Sequence, residues 1–305
     1  MTAKHFTTAA GVFDAWADDV QHGTPPELWH CGAGFGAVEL GPDLVVLLGG
    51  CPGAGKTAAA MQWTVDALRT DDGLRALVAN VEMSPRALLD RQLARLSGVD
   101  AGWIRNRTIT GHEDRIRKGL AELRRVADRL AFHTGPPTLA DVAQSVDACE
   151  ARLLVLDYVQ RFHTGAGDAM DRRAELDSVM EYARRFADKG LGVLAVSAVS
   201  RQKGKTGSNY AGLGLASYRG TSELEYGADS AWILSREEEP DKRGVVHLVC
   251  AKNRHGDICS LDLTFDGCRQ SFVVAGAGAP AKTAPSLASG FDMGDPPYEE
   301  DDDVF

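Results

Sequence analysis

Gly49-Gly50-Cys51-Pro52-Gly53-Ala54-Gly55-Lys56-Thr57 decides how this chain is read, because residues 50–57 fit the spacing G-x-x-x-x-G-K-[ST]. The apolar run 44–48 ahead of it reads as a buried strand, and residues 57–68 behind it as a helix. Strand, glycine loop and helix start therefore stand in the order that phosphate binding needs. Small residues let successive backbone N–H groups curl round a phosphate, and the helix N-terminus adds the positive end of its dipole. Gly50, Cys51, Pro52, Gly53, Ala54, Gly55, Lys56 and Thr57 are thus the candidate binding residues for ATP. Lys56 would bring a mobile charge to the β- and γ-phosphates, and Thr57 a hydroxyl to Mg²⁺. A glycine-rich turn with a stray lysine is the alternative, and the flanking strand and helix argue against it.

Outward from this loop, apolar strands alternate with helical patterns. Strands are expected at 44–48, 76–81, 130–133, 152–156 and 192–197, and helices at 57–68, 84–96, 113–130, 138–149 and 171–188. In the helix 113–130, Ile116, Leu120, Leu123 and Leu130 are expected to face inward. Such alternation predicts an α/β fold with a mostly parallel sheet covered on both faces. After Thr221 the runs shorten to 230–235, 245–251 and 259–265, which read as antiparallel strands added at one edge. Three regions follow: an N-terminal arm 1–43, an ATPase domain 44–274, and a tail 275–305 rich in Ala, Gly, Pro and acids that is expected to be disordered. In the arm, Val12, Phe13, Trp16 and Val20 fall on one helical face. That face can pack on its own domain or on a neighbouring subunit, and the sequence leaves both open.

Composition narrows the class. The 305 residues are 44% hydrophobic and 25% charged, with no apolar run of membrane-spanning length and no secretory leader pattern, so a cytoplasmic protein without a membrane partner is expected. Six cysteines without a C-x-x-C pair disfavour zinc and a disulfide framework. The net charge of −10 is unevenly spread: from Gly276 onward seven acids face one lysine, so this segment carries −6 and the preceding residues −4. A near-neutral body can still hold a basic surface for nucleic acid.

Further motifs complete a site. The strand 153–157 ends in Asp157, at the sheet edge where the glycine loop lies, which is the second Mg²⁺ position. The strand 76–81 ends at Glu82, which can polarise an attacking water or simply open the next helix. Lys252 and Arg254, two residues apart on an extended segment, read either as solvated turn charges or as an arginine finger for an adjacent subunit. Between Arg201 and Arg219 lie Lys203, Lys205, two tyrosines and no acid. This is either a plain surface loop or one suited to tracking single-stranded DNA.

Taken together, GGCPGAGKT, ANVEMSPRALLDRQLARLSGV, LLVLDYVQRF, AVSAVSR, YRGTSELEYGADSAWIL, AKNRHG and LDLTFDG resemble the motor domain of replicative DNA helicases of the DnaB type, over residues 44–274. The resemblance implies a RecA-like fold and a homo-oligomeric ring, usually a hexamer, that hydrolyses ATP between subunits and threads one DNA strand. It makes Lys56 and Thr57 the phosphate and Mg²⁺ ligands, Glu82 the catalytic base and Asp157 the second-motif carboxylate. Lys252 and Arg254 become the pair reaching a neighbour's γ-phosphate, Arg219 and Gly220 the DNA-backbone contacts, and Glu225 and Asp229 structural acids. Two departures stand out. Ala198 occupies the place of a glutamine that senses the γ-phosphate, with Ser200 or Gln202 as possible substitutes. Only 43 residues precede the first strand, where relatives carry a primase-binding domain, so primase recruitment by that route is not expected. An ATP-dependent switch or loader that does not unwind, and a recombination ATPase, are the competing readings.

The run PPYEEDDDVF ends in Phe305 and resembles acidic tips that dock on replication partners, where charge steers and an aromatic anchors. Removal of Val304 and Phe305 is expected to weaken capture of a polymerase or single-strand-binding protein in a pull-down without changing the ATPase rate.

Overall fold

The computed structural model describes residues 6–165, 172–199, 227–236 and 244–276. Among the described residues nine strands form one sheet: β1 Val45–Gly50, β2 Ala76–Asn80, β3 Leu130–Phe132, β4 Leu153–Asp157, β5 Gly192–Ala198, β6 Ser230–Arg236, β7 Val245–Asn253, β8 Ser260–Asp266 and β9 Ser271–Val274. Their spatial order is β3-β2-β4-β5-β1-β6-β7-β8-β9. The first six in that order run parallel, and β7, β8 and β9 continue the sheet antiparallel. The expectation for residues 230–235 therefore needs correcting, since β6 is parallel to β1 and antiparallel only to β7.

Every residue of β1 is buried, as are nearly all of β2, β4 and β5. Strands apolar on both faces need helices on both. Among the described residues these are α2 Lys56–Thr70, α3 Pro85–Ser97, α4 Ala101–Asn106, α5 Glu113–Val126, α6 Leu139–Cys149 and α7 Arg172–Ala187, preceded by α1 Ala9–His22. α3 starts where Ser84 accepts a hydrogen bond from the Ala87 amide and Pro85 takes the first turn, and it stops at Gly98 in the left-handed conformation. A smaller apolar cluster of Leu93, Ala94, Val99, Ile104, Ile116 and Leu123 joins α3, α4 and α5 beside the main core.

Three local expectations shift. Leu120 is exposed, and α5 ends at Val126 so that Leu130 can open β3 opposite Ala76. The proline- and glycine-rich stretch before β1 is not peripheral: Trp29, Cys31, Phe35, Val38 and Leu40 are buried in the main core. Only α1 fits an arm, with no buried residue and with Val12, Phe13, Trp16 and Val20 exposed.

One buried carboxylate ties the ends of several elements. Asp229, just before β6, accepts from the Val45 amide at 2.8 Å, Arg184 Nη1 at 2.7 Å and Arg254 Nη1 at 3.1 Å. Burial pushes its carboxyl up, but these bonds outweigh that and hold it below the usual aspartate value. Its stabilisation is therefore complete above the unfolded aspartate pKa and lost as the pH falls through the lower native one. Asp229→Ala removes a buried acid that bonds Arg184, Arg254 and the Val45 amide, and is expected to cost about 3 kcal/mol in urea denaturation at pH 7, with a smaller difference at pH 3.

Candidate active site

The glycine loop leaves β1 and enters α2 with Gly53 at φ +79° and Gly55 at φ +94°, backbone that side chains rarely tolerate. Space is as restrictive as torsion. A Cβ on Gly55 would lie 2.7 Å from Phe272 Cζ, and one on Gly50 would lie 2.6 Å from the Leu234 carbonyl oxygen. β9, from the antiparallel edge, and the parallel strand β6 therefore both press on the loop directly. Gln62 of α2 donates to the Phe272 carbonyl and accepts from the Phe272 amide, both at 2.9 Å, which fixes β9 against the helix. Phe265 stacks on Phe272 with ring centroids 4.4 Å apart.

The C-terminal ends of β1, β2, β4 and β5 open on one cleft of about 450 Å³, lined among others by Lys56, Thr57, Glu82, Arg91, Asp157 and Ala198. Lys56 donates from Nζ to the Gly50 carbonyl at 2.8 Å and the Cys51 carbonyl at 2.9 Å. Burial lowers its pKa, against the attraction of Asp157 and Glu82. Asp157 is only 5% exposed. Burial raises its carboxyl above the usual value, opposed by hydrogen bonds from the Thr57 hydroxyl and Asn80 and by the Lys56 charge. Cys51, in the loop, is buried.

Sequence reasoning missed several cleft residues. Asn80 donates to Asp157 Oδ2 at 2.6 Å while its Oδ1 accepts from the Glu82 and Met83 amides at 3.0 and 2.7 Å. It thereby sets the turn that carries Glu82 to the rim. A polar residue ending β2 was the available signal, but the register Asn80 opposite Asp157 was not legible. Arg91, half-buried on α3, points the cleft toward anions, and burial holds it below the usual arginine value against the pull of Asp157. Phe265 and Gln270 come from the distant antiparallel edge.

Ala198 lines the cleft with a methyl group, and Gln160 brackets its backbone, accepting from the Ala198 amide at 3.3 Å and donating to its carbonyl at 3.1 Å and to Ser197 Oγ at 2.8 Å. Lys252 and Arg254 do not line this cleft. Lys252 donates to the Ala228 carbonyl at 2.7 Å, and Arg254 pairs with Asp229. The DNA-loop candidates Arg201, Lys203, Lys205, Arg219 and Gly220, with Ser200, Gln202, Glu225 and the tail residue Phe305, lie outside the described residues.

The family model for the DnaB-like helicase C terminal domain matches residues 38–274. This chain belongs to that family. A probable plasmid replicative DNA helicase of Chlamydia psittaci is 24% identical over 248 residues, which are 75% of this chain and 51% of that protein. The chain thus spans about half the length of this curated relative. Among solved structures, one isolated ATPase domain superposes with TM-score 0.74 at 17% identity, covering 88% of this chain and 99% of that one. A DnaB-like replicative helicase studied with primase gives 0.73 at 17%, covering 88% and 67%. A KaiC-like protein of Pyrococcus horikoshii gives 0.55 at 16%, covering 82% and 100%. At such identities the likeness establishes the RecA-like fold.

Thr57 and Asp157 supply a hydroxyl and a carboxylate in mutual contact, the hard oxygen donors that suit Mg²⁺. Among the described residues no group of three or more His, Cys, Asp or Glu side chains converges as a metal cage. Because the native Asp157 keeps its proton where the unfolded chain has lost it, stability falls as pH rises through that range. Asp157→Asn is therefore expected to melt above the parent at pH 8 in Mg²⁺-free buffer. The same change is expected to lower Mg²⁺-dependent ATP hydrolysis by more than about a hundredfold. A lower melting temperature would mean that the hydrogen bonds to Thr57 and Asn80 outweigh the cost of burial.

Proposed function

We propose that this chain is an ATP-driven translocase and helicase on single-stranded DNA in replication, acting as a ring with hydrolysis between subunits. The observation that carries the reading is the division of the site. Lys56, Thr57, Asp157, Glu82 and Arg91 share one cleft, while Lys252 and Arg254 stand outside it.

The loop amides and Lys56 would bind the β- and γ-phosphates, and Thr57 and Asp157 would hold Mg²⁺ against them. The ion, when bound, neutralises charge that develops between those phosphates. Lys56 exchanges its two carbonyl partners for phosphate oxygens, so binding costs the chain little rearrangement. Glu82 orients the attacking water, with Asn80 holding the turn at its base. Arg91 meets the phosphates from α3, and Phe265 and Gln270 offer the flank for the base. Charge on the leaving phosphate is met by Arg254 and Lys252 of the adjacent subunit. Their bonds to Asp229 and Ala228 would serve as the docking posture from which they reach across. The exposed face of α1 would dock on the neighbouring subunit and help close the ring. DNA would be followed by Arg201, Lys203, Lys205, Arg219 and Gly220, and Phe305 would reach a replication partner.

A switch or loader without unwinding is favoured by one feature, the Ala198 methyl in the cleft, which offers no polar group to report the γ-phosphate to the segment after β5. Steady-state hydrolysis with and without single-stranded DNA separates the two. DNA should stimulate the rate, Glu82→Gln should lower it by about 10²-fold or more, and Arg254→Ala by about 10³-fold. Mixing Arg254→Ala with Lys56→Ala subunits should restore partial activity, because each supplies what the other lacks at a shared interface. Hydrolysis indifferent to DNA would favour the switch, and absence of rescue would place Arg254 outside a neighbour's site.

A further inference from the structure

A second cleft, of about 490 Å³, runs along the C-terminal half of α2 and is lined in part by Asp66, Arg69, Arg95, Arg125, Phe272 and Val273. Arg95 is its buried centre, with its side chain 8% exposed. Nη1 donates to both Asp66 oxygens at 3.0 Å and Nε to Gln92 at 2.8 Å, while Nη2 has no partner among the described residues. A buried guanidinium with an unused donor favours a further anion. Arg69 bonds Glu122 at 2.6 Å and Asp66 at 3.3 Å. Arg125, 65% exposed, reaches Glu122 only at 3.6 Å. Three guanidiniums thus face two carboxylates, and the exposed Val273 forms an apolar rim.

The cleft also lies where the chain departs toward its most acidic stretch. Ser271, Phe272 and Val273 line it, and Gly276 follows three residues later, within about 11 Å. Sixteen residues beyond that comes Asp292, followed by Asp295, Glu299, Glu300, Asp301, Asp302 and Asp303, with Tyr298 among them. Sixteen residues reach at most about 55 Å even when fully extended, so the acids stay covalently tethered within range of the cleft.

We infer that the acidic segment 292–303 docks in this cleft of its own chain, with carboxylates on Arg69, Arg95 and Arg125 and the Tyr298 ring against the exposed Val273. The contact is ionic and partly exposed, so salt weakens it. A partner offering a stronger basic rim would draw the segment out, so that it is presented only when such a partner is near.

The test uses a fluorescent peptide of residues 288–305 and the full chain with Glu299, Glu300, Asp301, Asp302 and Asp303 changed to their amides. Saturable binding is expected, and the intact chain, whose own segment competes, should bind the peptide at least tenfold more weakly. Arg125→Glu in the neutralised chain should also weaken binding at least tenfold, and Arg125→Gln, which keeps more of the side chain, about threefold. The penalty in the intact chain should not change between about 1 and 20 µM protein, as intramolecular competition requires. Equal affinity for intact and neutralised chains would overturn the inference, as would indifference to both Arg125 changes. A penalty that grows with protein concentration would overturn docking within one chain.

Discussion

The Asp157 carboxylate, buried at the end of β4 between the Thr57 hydroxyl and the Asn80 amide, is the constraint on which the rest of the site depends. Through Thr57 it is joined to the helix that carries the phosphate loop, and through Asn80 to the turn that presents Glu82. An acid so placed is costly to keep charged, and the site tolerates it because Lys56 and two hydrogen bonds stand nearby. Mg²⁺ would complete the compensation, so the cost in the empty protein is also a driving force for the loaded one.

The antiparallel edge is more than an appendage to the parallel sheet. Gln62 pairs with the backbone of Phe272 as a neighbouring strand would, and the Phe272 ring occupies the space that a side chain on Gly55 would need. A change in β9 is therefore a change at the phosphate loop. The same edge carries β7, whose end holds Lys252 and leads to Arg254, and Asp229 anchors that end to β1 and α7. The chain thus ties one flank of its own nucleotide cleft and the cations proposed for a neighbour's cleft to a single sheet.

Much of this was legible before any coordinates. The order of strand, glycine loop and helix at residues 45–70 follows from local chemistry, since only small residues permit those torsions and only an apolar strand can be buried on both faces. The end of β4 was likewise readable, because a carboxylate closing an apolar run lies at the sheet's edge. Leu120 was misread for the opposite reason: helical spacing places a residue on a stripe but cannot say how wide a stripe the neighbouring helices cover. The stretch holding Trp29 and Phe35 looked peripheral because prolines and glycines mark turns, and turns can still carry core side chains.

What the amino-acid sequence determined by itself was the glycine loop between strand and helix, the alternating α/β pattern and the gathering of Lys56, Thr57, Glu82 and Asp157 at one edge of the sheet. Each of these depends on residues close along the chain. Tertiary structure alone decided that β6 joins the parallel part of the sheet, that Asn80 and Arg91 belong to the cleft, and that Phe272 packs on Gly55. These depend on register and on contacts across as many as 210 residues or more, where no local spacing rule reaches and only the packing of the whole sheet selects the partner.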